Sequence, residues 1–220
     1  GSEYYTIYLR DLNDNKNKKD IIENTSGSIT WSLDSKSFFY SKLDKFHRPR
    51  EIFQHVIGTS VKQDKLIFSE KEDTFTCSIG LSSDEKYFII GTSDHITTEE
   101  YFFPVNEKEI KPILFQKRKK DVRYSIDSWK NYFYIHTNEN ARDYKVLRCP
   151  NDNTKQLEEF IPAKDTRDHR AKHLILEIAN PRLQNSFIRK YLDRSGFRLM
   201  GSNMLNAEVW SLSLETTYNL

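Results

Sequence analysis

The sequence predicts an all-β protein, a partial β-propeller of about three to four antiparallel four-stranded blades. The main observation is internal likeness. Trp31–Asp44 (WSLDSKSFFYSKLD), Leu81–Asp94 (LSSDEKYFIIGTSD), Ile126–Glu139 (IDSWKNYFYIHTNE) and Arg194–Asn203 (RSGFRLMGSN) each set a polar turn before a run of aromatic and β-branched residues, then turn again. The second is spacing: Phe38 and Phe88 lie 50 residues apart and Phe88 and Phe133 lie 45 apart, and a period of about 40–50 residues is that of propeller blades. The third is composition, with 13% aromatic residues, mostly Phe and Tyr, which suit strands better than helices.

Taken in order, Tyr4–Leu12 alternates as a strand, with Tyr5, Ile7 and Leu9 on one face and Thr6, Tyr8 and Arg10 on the other. It reads as an outer strand of a blade whose beginning lies elsewhere. Asn13–Asp20 is expected to be a polar turn. The first repeat then gives a strand at Phe38–Tyr40, a turn carrying His47-Arg48-Pro49, and a partner strand at Glu51–Val56. Asp64–Glu70 is a further strand. The second repeat opens on Ser82–Lys86, whose Ser and Asp side chains can satisfy nearby backbone amides. Tyr87–Ile90 follows as a strand, Gly91–Asp94 as a turn and Glu99–Phe103 as the partner strand. Ile110–Phe115 leads to the third repeat, with strands at Tyr132–Ile135 and Asp143–Leu147 about a turn at Thr137–Asn140.

Composition narrows the class. The chain is 37% apolar and 30% charged with a formal net charge of +2. That balance fits an ordered, water-soluble protein and gives no reason to expect nucleic acid. No apolar run is long enough to span a bilayer, so no membrane partner is expected. Cys77 and Cys149 have no metal-ligand spacing and read as reduced thiols, which points to a cytoplasmic setting. Gly1-Ser2 reads as a cloning scar.

The run IENTSGSITWSLDSKSFFYSKLD, then HRPREIFQHVIGT and KLIFSE, resembles the propeller domain of the prolyl oligopeptidase family of serine peptidases, in its oligopeptidase B (protease II) branch. The likeness continues through LSSDEKYFIIGTSDHITTEEYFF and KRKKDVRYSIDSWKNYFYIHTN, and covers about Tyr4 to Pro162. It implies a seven-bladed propeller that restricts access to an α/β-hydrolase domain with a Ser-Asp-His triad, cleaving short peptides after basic residues. The expected organisation is therefore propeller blades at 3–162, a divergent junction at 163–190, irregular or partly helical near 165–190, and degenerate blade-like strands at 191–220. Within the junction, Leu174–Ile178 fits either a strand or part of a helix, and the segment reads as a deletion or degraded junction of an ancestral propeller.

The hydrolase chemistry is not expected in this chain. A nucleophile elbow needs Gly-x-Ser-x-Gly, and the sequence contains no such pentapeptide. No catalytic residue, cofactor or metal ligand is therefore assigned. His169 and His173 share a face if their segment is helical, but no H-E-x-x-H pattern accompanies them. The candidate loop contacts are His47, Arg48 and Arg50, expected to order their turn through hydrogen bonds from the arginines to carbonyls or carboxylates and, as loop residues on a rigid scaffold, open to a ligand role. Lys117-Arg118-Lys119-Lys120 is the one basic run and reads as a solvated loop between blades; Trp31, Trp129 and Trp210 read as core or blade-interface packing.

The functional expectation is a fragment or remnant of a serine oligopeptidase, carrying part of the gating propeller and inactive alone. The alternative is a freestanding propeller-type module that binds a protein or peptide. Expected partners are a second copy joined through open blade edges, a separately encoded hydrolase domain, or short basic peptides.

Overall fold

The computed structural model describes residues 3–163 and the backbones of three further strands at 175–177, 198–200 and 209–213. It is built of antiparallel sheets, and the only helical element among the described residues is a short 3-10 turn at Val61–Gln63. The chain divides into two compact units, 1–122 and 123–220.

The first unit contains two sheets. One is a meander of β1 (Tyr5–Asp11), β2 (Lys16–Trp31), β3 (Ser37–Leu43), β4 (Pro49–Val56) and β5 (Lys65–Ser69), in that order. The other is β6 (Thr76–Leu81), β7 (Tyr87–Ser93), β8 (Thr98–Pro104) and β9 (Ile113–Gln116), again in chain order. β2 serves two partners. Its first part pairs with β1 and its last residues with β3, and the register shifts between Thr25 and Ile29. Asn24 and Gly27 take positive φ values of 59° and 82° there, so the strand changes course between its two pairings. The polar stretch after β1 is shorter than the sequence suggested. Only 12–15 turn, with Asn15 at φ 58°, and Lys16–Asp20 already belong to β2.

The same turn is used twice at the β2–β3 and β6–β7 corners. Ser32 Oγ donates to Asp34 Oδ1 at 2.7 Å and accepts from the Ser37 amide at 3.0 Å. Ser82 Oγ likewise donates to Asp84 Oδ1 at 3.0 Å and accepts from the Tyr87 amide at 3.0 Å. Ser35 and Glu85 occupy equivalent left-handed positions at φ 57° and 59°. This is the Ser-x-Asp signal of the sequence repeats, realised as side chains replacing the strand ladder where the chain reverses.

The two sheets pack face to face through Phe39 and Ile52 of the first and Cys77, Phe88, Ile90 and Phe103 of the second. Phe39 lies 4.7 Å from Phe88 and 5.8 Å from Phe103 by ring centroids. Each buried phenylalanine contributes about 2–3 kcal/mol of apolar burial, which a lone meander could not reach. The opposite face of the first sheet sets Phe38 and Tyr40 against Ile7, Leu9 and Ile22 of the β1–β2 hairpin. Phe38 and Phe88, matched by the sequence repeat, are thus both buried on the face toward the preceding strands. Polar stitches join the sheets as well: Thr30 Oγ1 donates to the Ile79 carbonyl at 2.9 Å. One sequence expectation is corrected here: Trp31, read as core or blade-interface packing, is 42% exposed and packs edge-on against Phe38. Tyr5, at the register shift where β1 meets the bend of β2, is 57% exposed.

The second unit contains a four-stranded meander of β10 (Tyr124–Trp129), β11 (Tyr132–Thr137), β12 (Lys145–Pro150) and β13 (Glu158–Ile161). β10 and β11 pair without a slip across a tight turn with Lys130 at φ 58°. The partner strand starts at Lys145 rather than Asp143, because the turn runs on through left-handed Asn140 and Tyr144. A separate three-stranded sheet has the order β14 (Ile175–Glu177), β16 (Val209–Ser213), β15 (Arg198–Met200). β15 falls on the fourth repeat, β16 on the blade-like stretch expected at 191–220, and the segment left open between strand and helix is a strand at 175–177. The rest of the expected junction, including His169 and His173, lies outside the described residues, as does the side chain of Trp210.

Candidate functional site

The turn between β3 and β4 carries the candidate residues His47, Arg48 and Arg50. Asp44 organises it. Its Oδ1 accepts the amides of Phe46 at 2.7 Å and Arg48 at 3.0 Å, and its Oδ2 accepts from the Arg48 guanidinium at 3.3 Å. Burial works against the ionised form of Asp44, but those amides and the guanidinium outweigh it and hold its pKa below the ordinary carboxylate value. His47 takes a left-handed φ of 61° at the tip of the turn. The β7–β8 turn repeats the device: Asp94 Oδ1 accepts the amides of Ile96 at 2.8 Å and Thr97 at 2.6 Å.

The two arginines reach across to the segment that leaves β5. Arg48 donates to the Asp73 carbonyl, and Arg50 donates to Asp73 Oδ1 at 3.0 Å and to the Glu70 carbonyl at 2.9 Å. The expected ordering of the turn by arginine hydrogen bonds to carbonyls and carboxylates is what the geometry contains. Between the turn and this segment lies a groove of about 510 Å³, lined by Lys42, Phe46, Arg48, Arg50, Glu51 and Asp73 among others. Phe46 is 62% exposed at its rim, with Lys45 Nζ and Arg48 Cζ each 5.0 Å from its ring centre. His47 does not line the groove. Its Nδ1 lies 3.0 Å from Glu3 Oε2 and its ring packs against Tyr4 at 4.3 Å.

The basic run needs a correction. Lys117, Lys119 and Lys120 are exposed, but Arg118 is not part of a solvated loop. Its Nε donates to Glu99 Oε2 at 2.9 Å, and its terminal nitrogen donates to Glu70 Oε2 at 2.8 Å. The guanidinium also lies 3.9 Å from the centre of the Phe75 ring. Glu70 follows the first sheet and Glu99 sits in β8 of the second, so Arg118 ties one sheet to the next. At Glu70 burial opposes ionisation, yet the Glu72 amide, Arg118 and the Lys71 amide hold its pKa below the ordinary value. A run of four basic residues cannot reveal from composition which one turns inward.

Sequence reasoning missed a second polar cluster altogether. His55 in β4 lies between Asp64 and Asp20, with ring nitrogens 2.7 Å and 2.9 Å from their carboxylate oxygens. Asp20 was hidden by its assignment to a turn. The available signal was the HVIGT stretch followed by Asp64, a histidine on a strand before a tight loop that returns an aspartate.

Cys77 and Cys149 are free and buried. Burial, with the Glu70 charge adding to it, pushes the Cys77 thiol up to about 12, and burial pushes the Cys149 thiol up to about 11. Neither is an activated nucleophile. Among the described residues there is no group of three or more His, Cys, Asp or Glu side chains placed to hold a metal ion. No helix of the described residues is long and apolar enough to cross a membrane.

Antiparallel meanders of five and four strands, repeated along the chain and packed face to face within the first unit, are the build of β-propeller blades. The family model "Prolyl oligopeptidase, N-terminal beta-propeller domain" matches residues 1–180, and the chain belongs to that family. The match extends past Pro162, where the sequence likeness had been placed, into the expected junction. Protease 2 of Moraxella lacunata is 33% identical over 153 residues, covering 68% of this chain and 22% of that protein. Dipeptidyl aminopeptidase BI of Pseudoxanthomonas mexicana is 28% identical over 169 residues, 75% of this chain and 23% of that protein. Among solved structures, oligopeptidase B from Trypanosoma brucei with covalently bound antipain superposes with a TM-score of 0.68 at 25% identity, over 80% of this chain and 24% of that one. The Leishmania major oligopeptidase B gives 0.70 at 24% identity, over 81% and 25%. The chain thus spans about a quarter of the length of these relatives.

Proposed function

We propose that this chain is part of the substrate-gating propeller of a serine oligopeptidase of the protease II kind, with no peptidase activity of its own. The observation that supports this is the family match over 1–180 in a sequence without a Gly-x-Ser-x-Gly elbow. Chemistry in this reading comes from a hydrolase domain on another polypeptide or another part of the same protein, and the blades limit which peptides reach it. The free thiols fit a reducing, cytoplasmic setting. The test mixes the chain with the purified hydrolase domain of a Protease 2 relative and follows a fluorogenic peptide with arginine before the reporter. The chain alone should leave the peptide intact. The mixture should form a complex that cleaves short peptides in preference to long ones. Absence of both binding and any change in cleavage would overturn the reading.

A second reading, a freestanding module that binds peptides, is favoured by the groove beside Phe46, Arg48 and Arg50. An exposed aromatic flanked by pinned guanidiniums suits a short peptide with a carboxylate and a flat side chain. Phe46→Ala removes the exposed ring while leaving the Asp44 amide contacts in place, and should weaken capture of such a peptide at least tenfold. Unchanged binding, or none by the parent chain, would count against the groove. Self-association belongs with either reading, because β1 and β5 are the outer strands of their sheet and such edges invite pairing. Light scattering should then give a mass near twice 26.1 kDa; a monomer at all concentrations would remove that part.

A further inference from the structure

His55 is completely buried, and both of its ring nitrogens face carboxylates. Nδ1 lies 2.7 Å from Asp64 Oδ1, and Nε2 lies 2.9 Å from Asp20 Oδ1. The aspartate side chains are themselves only 2% and 3% exposed. Asp20 Oδ1 also accepts the Gly58 amide at 2.5 Å, and Asp64 Oδ2 accepts the Tyr40 hydroxyl at 2.8 Å. These contacts bring together β2, β3, β4 and the loop that follows β4.

The donor count decides the protonation state. A neutral imidazole has one N–H and one lone pair, whereas an ionised carboxylate only accepts. With a neutral ring, one of the two short contacts would set a lone pair against a carboxylate. Two buried negative charges would also stand with no cation between them, a costly arrangement. Placing the proton on a carboxyl instead is disfavoured by the remaining contacts. The Gly58 amide and the Tyr40 hydroxyl both donate to these carboxylates, and donors stabilise the ionised form. At Asp20 burial pulls the other way, but the hydrogen bonds from His55 and the Gly58 amide outweigh it and keep its pKa below the ordinary value. Tyr40, whose hydroxyl donates to Asp64, stays protonated because burial and then the Asp64 carboxylate push its pKa upward.

We propose that His55 is held as an imidazolium between Asp20 and Asp64, and that this buried cation is the clamp that fixes the loop after β4 against β2 and β3. The clamp carries a net negative charge, so an apolar core could match it in stability; what it supplies is register. It gives Asp20 and Asp64 one geometry in which each carboxylate accepts an N–H from the same ring. A similar role is attested for other buried polar groups that select one arrangement of packed elements.

The sign on the acid side follows from Asp20. Its pKa is lowered on folding, so its contribution is present above the ordinary aspartate value near 3.9 and is lost as pH falls through the lower folded value. On the acid side the Asp20 carboxylate therefore keeps its place in the clamp until the pH falls below the ordinary aspartate range.

The test uses the full chain with 15N-labelled histidine. Ring nitrogen–proton correlations are recorded at about pH 8, above the ordinary histidine value near 6.5. Expected for His55 are two ring N–H signals, both protected from solvent exchange. A single N–H, the signature of a neutral tautomer, overturns the proposal. The second measurement uses Asp20→Asn and Asp64→Asn, which keep an acceptor oxygen and remove the charge. In each, one ring N–H should vanish at pH 8, and the Gly58 amide should exchange at least tenfold faster. If both ring protons persist in both variants, the carboxylates are not what holds the cation and the clamp is refuted. His55→Gln assigns the signals; should it fail to fold, the shifts caused by the two aspartate variants assign them instead.

Discussion

Replacing Arg118 with alanine is the most informative single change in the first unit. The guanidinium donates to Glu99 at 2.9 Å and to Glu70 at 2.8 Å, and covers the Phe75 ring. Removing it leaves two carboxylates, with side chains only 6% and 3% exposed, without their cation. Breaking one partner out of a buried ion pair costs about 3–5 kcal/mol. Arg118 itself is 21% exposed, so water can enter part of the gap. The lower end, about 3 kcal/mol, is therefore the expected loss. At the usual entropy of unfolding for a unit near this size, that lowers Tm by roughly 10–20 °C. A pH series identifies the cause. Glu70 has a lowered pKa in the parent fold, so its contribution is present above the ordinary glutamate value near 4.3 and is lost as pH falls through the folded value. The variant has already lost that contribution, so its deficit against the parent should shrink toward acid. Arg118→Lys tests the fork: one ammonium cannot serve both carboxylates in the same geometry, and an intermediate Tm is expected. Thermal unfolding by circular dichroism reads all of this. A Tm for Arg118→Ala within about 2 °C of the parent, or a deficit that does not change with pH, would refute the reasoning.

Gly27→Ala should destabilise the bend of β2 by about 1–2 kcal/mol, since Gly27 has φ 82° and a Cβ there would lie 3.0 Å from Tyr5 Cγ. Combining it with Tyr5→Ala should relieve the contacts with the Tyr5 ring and not the backbone part, and denaturant midpoints would show a non-additive cycle. The thiols of Cys77 and Cys149, pushed up to about 12 and about 11, should not react with a disulfide reagent at pH 8 in the native chain. Unfolding should release both; rapid labelling before unfolding would show that the blades open locally.

The blade pattern was legible in the sequence because it is local. Ser-x-Asp corners and short aromatic strands need only their own neighbours to form, so Ser32–Lys36 and Ser82–Lys86 announce their turns. The same holds for Asp44 and the two arginines of its turn, whose partners lie within one hairpin and the segment beside it. The strand length of β2 was not legible. Its charged start, Lys16–Asp20, has turn composition, and only pairing with β1 makes it strand.

The polar interior belongs to tertiary structure. His55 meets an aspartate 35 residues earlier, and Arg118 meets a glutamate 48 residues earlier. No local rule singles these residues out from the other histidines or from the lysines on either side of Arg118. Sequence by itself determined the repeating antiparallel meander, since hydrogen-bonding turns and alternating apolar residues act over a few positions. Which charged side chains are buried, and with whom, was decided only when the sheets of the first unit packed. Burying a charge is tolerated solely where a distant partner arrives to meet it.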